Sequence, residues 1–195
     1  DYEVTVAKTA VLTYEKSIDW TIAKSVTPTR IDLFAGDSGT ASYTVTVTKN
    51  EILTNFRVSG EITITNPAPA PYAATILAVT DVLSDGTGAI VTCPGTSIEP
   101  GGTMTCTYSA DLSGLPAAPL TNTVTVTTTG VVGGGADEEP VIVAPPTVTG
   151  EPEIVDVTDT NGMTWPGLTT GGVFTYNRLF TCNGDAGNHD NTATI

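Results

Sequence analysis

The stretch Tyr43-Thr44-Val45-Thr46-Val47-Thr48 alternates an apolar or aromatic residue with threonine at every step. Successive side chains on a strand point to opposite faces, so a period of two puts Tyr43, Val45 and Val47 on one face and leaves the threonines on the other. The pattern recurs on either side, in Ile18, Trp20 and Ile22 before it and in Ile62 and Ile64, Met104, Cys106 and Tyr108, and Val124 and Val126 after it. Between these runs stand turn clusters: Ala35-Gly36-Asp37-Ser38-Gly39, Asn66-Pro67-Ala68-Pro69, Ser84-Asp85-Gly86 and Glu99-Pro100-Gly101-Gly102. Short half-buried strands punctuated this regularly predict an all-β sandwich or barrel. No stretch carries the 3.6-residue apolar period of a helix.

Composition agrees. Hydrophobic residues make up 39% of the 195, charged residues only 14%, so the chain can bury a core but lacks the Glu, Lys and Arg that cover helix surfaces. A net charge of −14 repels phosphate backbones, which argues against nucleic acid as a partner. No run approaches the roughly 20 apolar residues needed to span a bilayer. The opening, Asp1 to Ala10, has neither an initiator Met nor the positive and apolar regions of a signal peptide, so we expect a mature or excised product with any export signal or anchor outside it.

The clearest break is the glycine-rich, then acidic, run from Val131 to Pro140. It predicts an N-terminal arm over residues 1–10, an immunoglobulin-like sandwich over 11–130, a linker or loop over 131–140 and a second, smaller immunoglobulin-like domain over 141–195. Cys93 and Cys106 bracket a span rich in Pro and Gly that folds two strands side by side, which favours a hairpin disulfide; a free thiol pair or a metal pair is the alternative. A disulfide in turn implies an extracellular or cell-surface setting. Cys182 is left over, as a buried thiol or as a partner for a cysteine elsewhere.

Residues Tyr2 to Lys8 form a strand pattern that either pairs with its own sheet or adds to the open edge of a neighbouring subunit; for the second, the candidates are Tyr2, Val4, Val6 and Lys8. The other end, Asn191 to Ile195, is strand-like and lacks a capping segment. Lys8, Lys16 and Lys24 cluster near the start, whereas nine acids against the single base Arg178 follow Gly135, so head-to-tail contact between copies is electrostatically favourable. The plainer reading makes these lysines ordinary strand-face residues that blunt an edge.

Several stretches resemble the DUF11-like and related prealbumin-like immunoglobulin-fold repeats of secreted prokaryotic surface proteins. They are Asp19 to Ser25, Tyr43 to Thr48, Ile62 to Pro67, Val79-Thr80-Asp81-Val82-Leu83-Ser84-Asp85-Gly86 and Asn122 to Val126. The strand end Val-Thr-Asp returns at Val157-Thr158-Asp159, and the Asn-Thr-x-Thr strand at Asn191-Thr192-Ala193-Thr194, which points to an internal repeat. The resemblance implies a spacer, stalk or wall material. It also implies a place to look for a Lys-Asn isopeptide bond between a first and a last strand, with Lys8 or Lys24 facing Asn122 or Asn191 and a buried carboxylate such as Glu61, Asp19 or Asp81 beside them. An exposed lysine and a turn asparagine are the alternative.

Nothing in the sequence converges on catalysis, so no catalytic or cofactor-binding residue is assigned and the chain is read as a non-enzyme. His189, the single histidine, sits in a polar turn, Gly187 to Asn191. Asp156, Asp159 and Asn161, and Asp185, Asn188 and Asp190, are the two oxygen-rich clusters that calcium would use. Trp20 belongs to the core by its alternation; Trp165, before Pro166-Gly167, is a candidate for packing against a partner or stacking on a sugar. The expected function is a structural subunit of an extracellular filament that self-assembles head to tail by β-strand addition. A stalk repeat and a glycan- or calcium-binding adhesin module are the rivals.

Overall fold

The computed structural model describes residues 2–67 and 70–195, so Asp1 of the arm and Ala68-Pro69 of one expected turn lie outside it. The described residues are all-β, in several sheets with a sandwich-like arrangement. In chain order the strands are β1 (Tyr2–Glu3), β2 (Thr5–Lys8), β3 (Val11–Thr27), β4 (Ser38–Thr65), β5 (Ala74–Leu83) and β6 (Ile90–Thr92). There follow β7 (Ser97–Ile98), β8 (Thr103–Asp111), β9 (Thr121–Thr129), β10 (Val132–Gly133), β11 (Gly135–Pro140) and β12 (Ile142–Val143). The last are β13 (Thr147–Gly150), β14 (Val155–Asp159), β15 (Thr164–Leu168), β16 (Gly172–Thr181) and β17 (Ala193–Thr194).

These strands divide into two compact units that are not successive pieces of chain. Unit 1 comprises Asp1–Lys16 and Leu53–Thr147, unit 2 Ser17–Ile52 and Val148–Ile195. The long strands β3 and β4 therefore each contribute one half to either unit, which boundaries drawn at 130 and 141 do not anticipate. Turn residues mark the ends of strands, and nothing in the alternation of a long strand reveals where it changes hydrophobic core.

In unit 1, the second half of β4 lies between β2 and β8, with β6 beyond β8. A second sheet runs β11-β9-β5-β7. Ile62 and Ile64 of β4, Cys106 and Tyr108 of β8 and Val124 and Val126 of β9 share one core, as the alternation predicts, and Val58 of β4 and Leu83 of β5 join them. The expected disulfide is present: Cys93 and Cys106 are bonded, where β6 and β8 pair antiparallel. Unit 2 pairs β16 with the first half of β4 and sets β14 between β15 and β17. Ile18, Trp20, Val45, Val47, Val155 and Val157 are its buried core.

Two expectations are corrected. The run Val131 to Pro140 is neither linker nor loop, because β11 pairs with β9 from Gly135↔Val126 to Pro140↔Thr121. Its glycines serve close approach: a Cβ on Gly134 would stand 2.1 Å from the Val126 carbonyl oxygen, and one on Gly135 2.6 Å from that of Val4. Nor is the arm free. Thr5 to Lys8 pairs antiparallel with Thr65 to Ile62, β1 pairs in parallel with β10, and Val4 is buried in the core of unit 1. A strand that carries a core valine and a buried lysine is held by its own unit.

Candidate functional site

Each unit encloses a lysine, an aspartate, an asparagine and a tyrosine in related positions. In unit 1, Lys8 Nζ lies 2.5 Å from Asp81 Oδ2 with both side chains fully shielded from solvent. The Lys8 ammonium also sits over the Tyr108 ring, 4.5 Å from its centre, a favourable cation–π placement in a dry interior. Asp81 is opposite Val124 on the β5–β9 ladder and Asn122 is opposite Leu83, so Asp81 and Asn122 are diagonal neighbours on one inward face.

The polar groups of this cluster are incompletely matched. Neither end of the fully buried Asn122 amide, nor Asp81 Oδ1, meets a partner at hydrogen-bonding geometry. Tyr108, beside them, instead donates its hydroxyl to the Thr9 carbonyl at 2.5 Å. Leaving such a group dry and unpaired costs about 1–3 kcal/mol. Burial pushes the Tyr108 phenol up to about 12, with the Asn122 amide pulling against that rise and the Asp81 charge adding to it. Burial also lowers the pKa of the Lys8 ammonium, against the opposing pull of Asp81, Asp137 and Glu139.

Unit 2 repeats the arrangement. Lys24 Nζ is 2.5 Å from Asp159 Oδ2, with the Lys24 side chain 14% exposed. Asp159 stands opposite Ala193 on the β14–β17 ladder, two residues beyond Asn191, the same offset that relates Asp81 to Val124 and Asn122. Here every polar group has a partner. Tyr176 donates to Asp159 at 3.0 Å, Asn191 Nδ2 donates to the Tyr176 hydroxyl at 2.7 Å, and Asn191 Oδ1 accepts from Thr160 at 2.8 Å. Burial raises the Asp159 pKa, but hydrogen bonds from Lys24, the Asn161 N–H and Tyr176 outweigh it and hold the carboxyl below its ordinary range.

Pairing Lys8 and Lys24 with interior carboxylates also removes them from the surface charge expected to drive head-to-tail contact. Of the three carboxylates suggested by resemblance, Asp81 is the buried one at Lys8; Glu61 is exposed on β4 and Asp19 on β3. The calcium clusters do not assemble: Asp156 accepts from the Gly167 N–H, Asp159 faces Lys24, and Asp185 accepts from Thr181 with Arg178 3.7 Å away. Asp190 is exposed beside them, and among the described residues no three His, Cys, Asp or Glu side chains converge as metal ligands.

His189 is exposed, its Nε2 2.8 Å from the Asp185 carbonyl. Trp165 is half-buried on β15 and stacks on Phe174 with ring centres 5.0 Å apart, so it belongs to the packing of its own unit. Cys182 is a free, half-buried thiol, its Sγ 3.6 Å from the Leu33 carbonyl oxygen. Sequence reasoning named Lys8, Lys24, Asn122, Asn191 and Asp81 but did not name Tyr108 or Tyr176 as part of the site. Both follow a threonine in strands with alternating apolar residues, which marks them as core and says nothing of their hydroxyls.

No family model, curated protein or solved structure matches the chain. No helix among the described residues is long and apolar enough to cross a membrane.

Proposed function

We propose that this chain is a structural module of an extracellular filament or stalk, built of two immunoglobulin-like sandwiches, and not an enzyme. The observation that carries the reading is where the acid–base groups lie. Catalysis needs such groups within reach of substrate, whereas Lys8 and Asp81 are sealed inside a unit and join strands 73 residues apart in sequence. The Cys93–Cys106 disulfide adds support, being a bond of oxidising compartments.

Assembly head to tail is the filament form of the proposal. The arm is held by the β2–β4 and β1–β10 ladders, the core side chain of Val4 and the Lys8–Asp81 contact, and the arm of a second copy would make the same contacts in the same register. Exchange in which each copy passes its arm to the next, and not reciprocally between two, does not close on itself and yields a polymer.

A cysteine pair tests it. Thr5 and Thr65 are Cα partners, and Thr5→Cys with Thr65→Cys in a Cys182→Ser background is expected to give a ladder of disulfide-linked oligomers on a non-reducing gel, with filaments by negative-stain microscopy. Cross-linked monomers and no filaments leave the stalk form. Saturable, calcium-dependent glycan binding lost in Trp165→Ala would displace both in favour of an adhesin.

A further inference from the structure

The interior of unit 1 assembles the parts of an amide-forming reaction: an amine, a carboxamide with neither end hydrogen-bonded, and a carboxylate in contact with the amine. We propose that Lys8 and Asn122 join covalently, Nζ to Cγ, with Asp81 as the proton acceptor, so that β2 and β9 are tied by an isopeptide bond. The inference rests on the geometry of this cluster and not on the role proposed above.

The step balances without any external reagent. One proton passes from the Lys8 ammonium to the Asp81 carboxylate across the 2.5 Å contact, leaving a neutral amine. Its lone pair attacks Asn122 Cγ while the Asp81 carboxyl hydrogen-bonds the developing oxyanion. The Cγ–Nδ2 bond then breaks, a second amine proton moves to the leaving nitrogen, and ammonia departs. Of the five hydrogens on the two nitrogens, three leave with ammonia, one stays on the new amide and one remains on Asp81. Charge is zero before and after, and no electron is transferred.

Burial favours each stage. Removal from water disfavours the ammonium and carboxylate, hence the proton transfer that frees the amine. Enclosure excludes competing water from the carboxamide. Fixing three groups on packed strands supplies proximity that a free lysine and asparagine lack. The product also relieves the mismatch, since the neutral Asp81 carboxyl can donate to the new carbonyl and no charge is left in the core.

Unit 2 holds the same residue types, but Asn191 is hydrogen-bonded at both ends, and it lines a cleft open to solvent together with Lys24. The proposal is therefore made for unit 1.

Intact mass spectrometry of the purified full chain tests it. The expected mass is lower than that of the disulfide-bonded sequence by one ammonia, and a proteolytic digest is expected to contain a branched peptide joining Lys8 to Asn122. Asn122→Ala, which keeps the Lys8–Asp81 pair, is expected to restore the full mass. Asp81→Asn is expected to do so as well, and folding of both variants is checked by circular dichroism. A folded wild-type chain of unreduced mass overturns the proposal, as does an ammonia loss that survives in folded Asn122→Ala. A ladder of covalent oligomers carrying the Lys8–Asn122 peptide supports the bond and places the arm in a neighbouring copy; the same peptide in a monomer supports the bond and weakens the exchange proposed above.

Discussion

Two units with the same buried lysine–aspartate contact solve the problem of an interior charge in different ways. In unit 1 the pair is sealed, and the neighbouring asparagine is left without partners. In unit 2, Tyr176, Asn161 and Thr160 surround the pair and its asparagine with hydrogen bonds, and the lysine retains contact with solvent. A buried ion pair is stabilising only when its remaining valences are met. The comparison teaches that one sequence signature, Lys with Val-Thr-Asp and Asn-Thr-x-Thr, can yield a satisfied polar network or an unsatisfied and reactive one.

Removing the carboxylate should separate the two most strongly. Asp81→Ala strands Lys8 in a dry interior and is expected to lower stability by about 3–5 kcal/mol in denaturant unfolding. Asp159→Ala is expected to lose about 1–3 kcal/mol, because Lys24, already in contact with solvent, can turn toward water and is not left as a dry charge when its partner is removed. Equal losses would show that the two pairs do not differ in isolation.

Next in size is the disulfide, which only unit 1 possesses among the described residues. Replacing both Cys93 and Cys106 by alanine is expected to cost about 2–4 kcal/mol, with the near-ultraviolet signal of Trp20 and Trp165 in unit 2 retained while unit 1 loosens. Simultaneous loss of both signals would make the units one cooperative body. In unit 2 the aromatic contacts take on that burden, and Trp165→Ala is expected to forfeit about 0.5–1.5 kcal/mol of stacking on Phe174 beyond the area it uncovers.

The smallest effects are in pH dependence, where the units titrate at opposite ends of the scale. Asp159 has a folded pKa below its ordinary 3.8, so the unfolded chain binds the proton first and the stability it contributes is lost as pH falls from that value through the folded one. Asp159→Asn should flatten that acid limb. Lys8 has a folded pKa below its ordinary 10.5, so between the two values the unfolded chain again holds more protons and stability rises with pH on the alkaline side. Once Lys8 is an amide it no longer titrates, and this alkaline rise is expected in Asn122→Ala and absent from the linked wild type.

Much of this was legible before any coordinates. Alternation placed Ile18, Trp20, Val45, Val47, Ile62, Ile64, Cys106, Tyr108, Val124 and Val126 on inward faces, and all are buried. Turn chemistry between Cys93 and Cys106 located the disulfide. The glycine run at Gly133 to Gly135 misled, because glycine signals equally a flexible linker and a strand that another backbone must approach closely; the contact of Gly134 with Val126 decides for the second. Trp165, a candidate for packing against a partner or stacking on a sugar, instead stacks on Phe174 of its own unit, and Pro166 and Gly167 beside it lie within a strand.

What the sequence by itself determined is the all-β class, the inward face of the main core strands and the repeated residue types of the two clusters. These follow from periodicity and local chemistry, which act over a few residues. Only the tertiary structure decided that β3 and β4 serve two cores, that the arm belongs to its own unit, and that Asn122 is stranded while Asn191 is paired. Those outcomes depend on contacts between residues as far apart as 135 positions, such as Lys24 and Asp159, and on which neighbours packing brings to each polar atom, for which the linear order of residues carries no local signal.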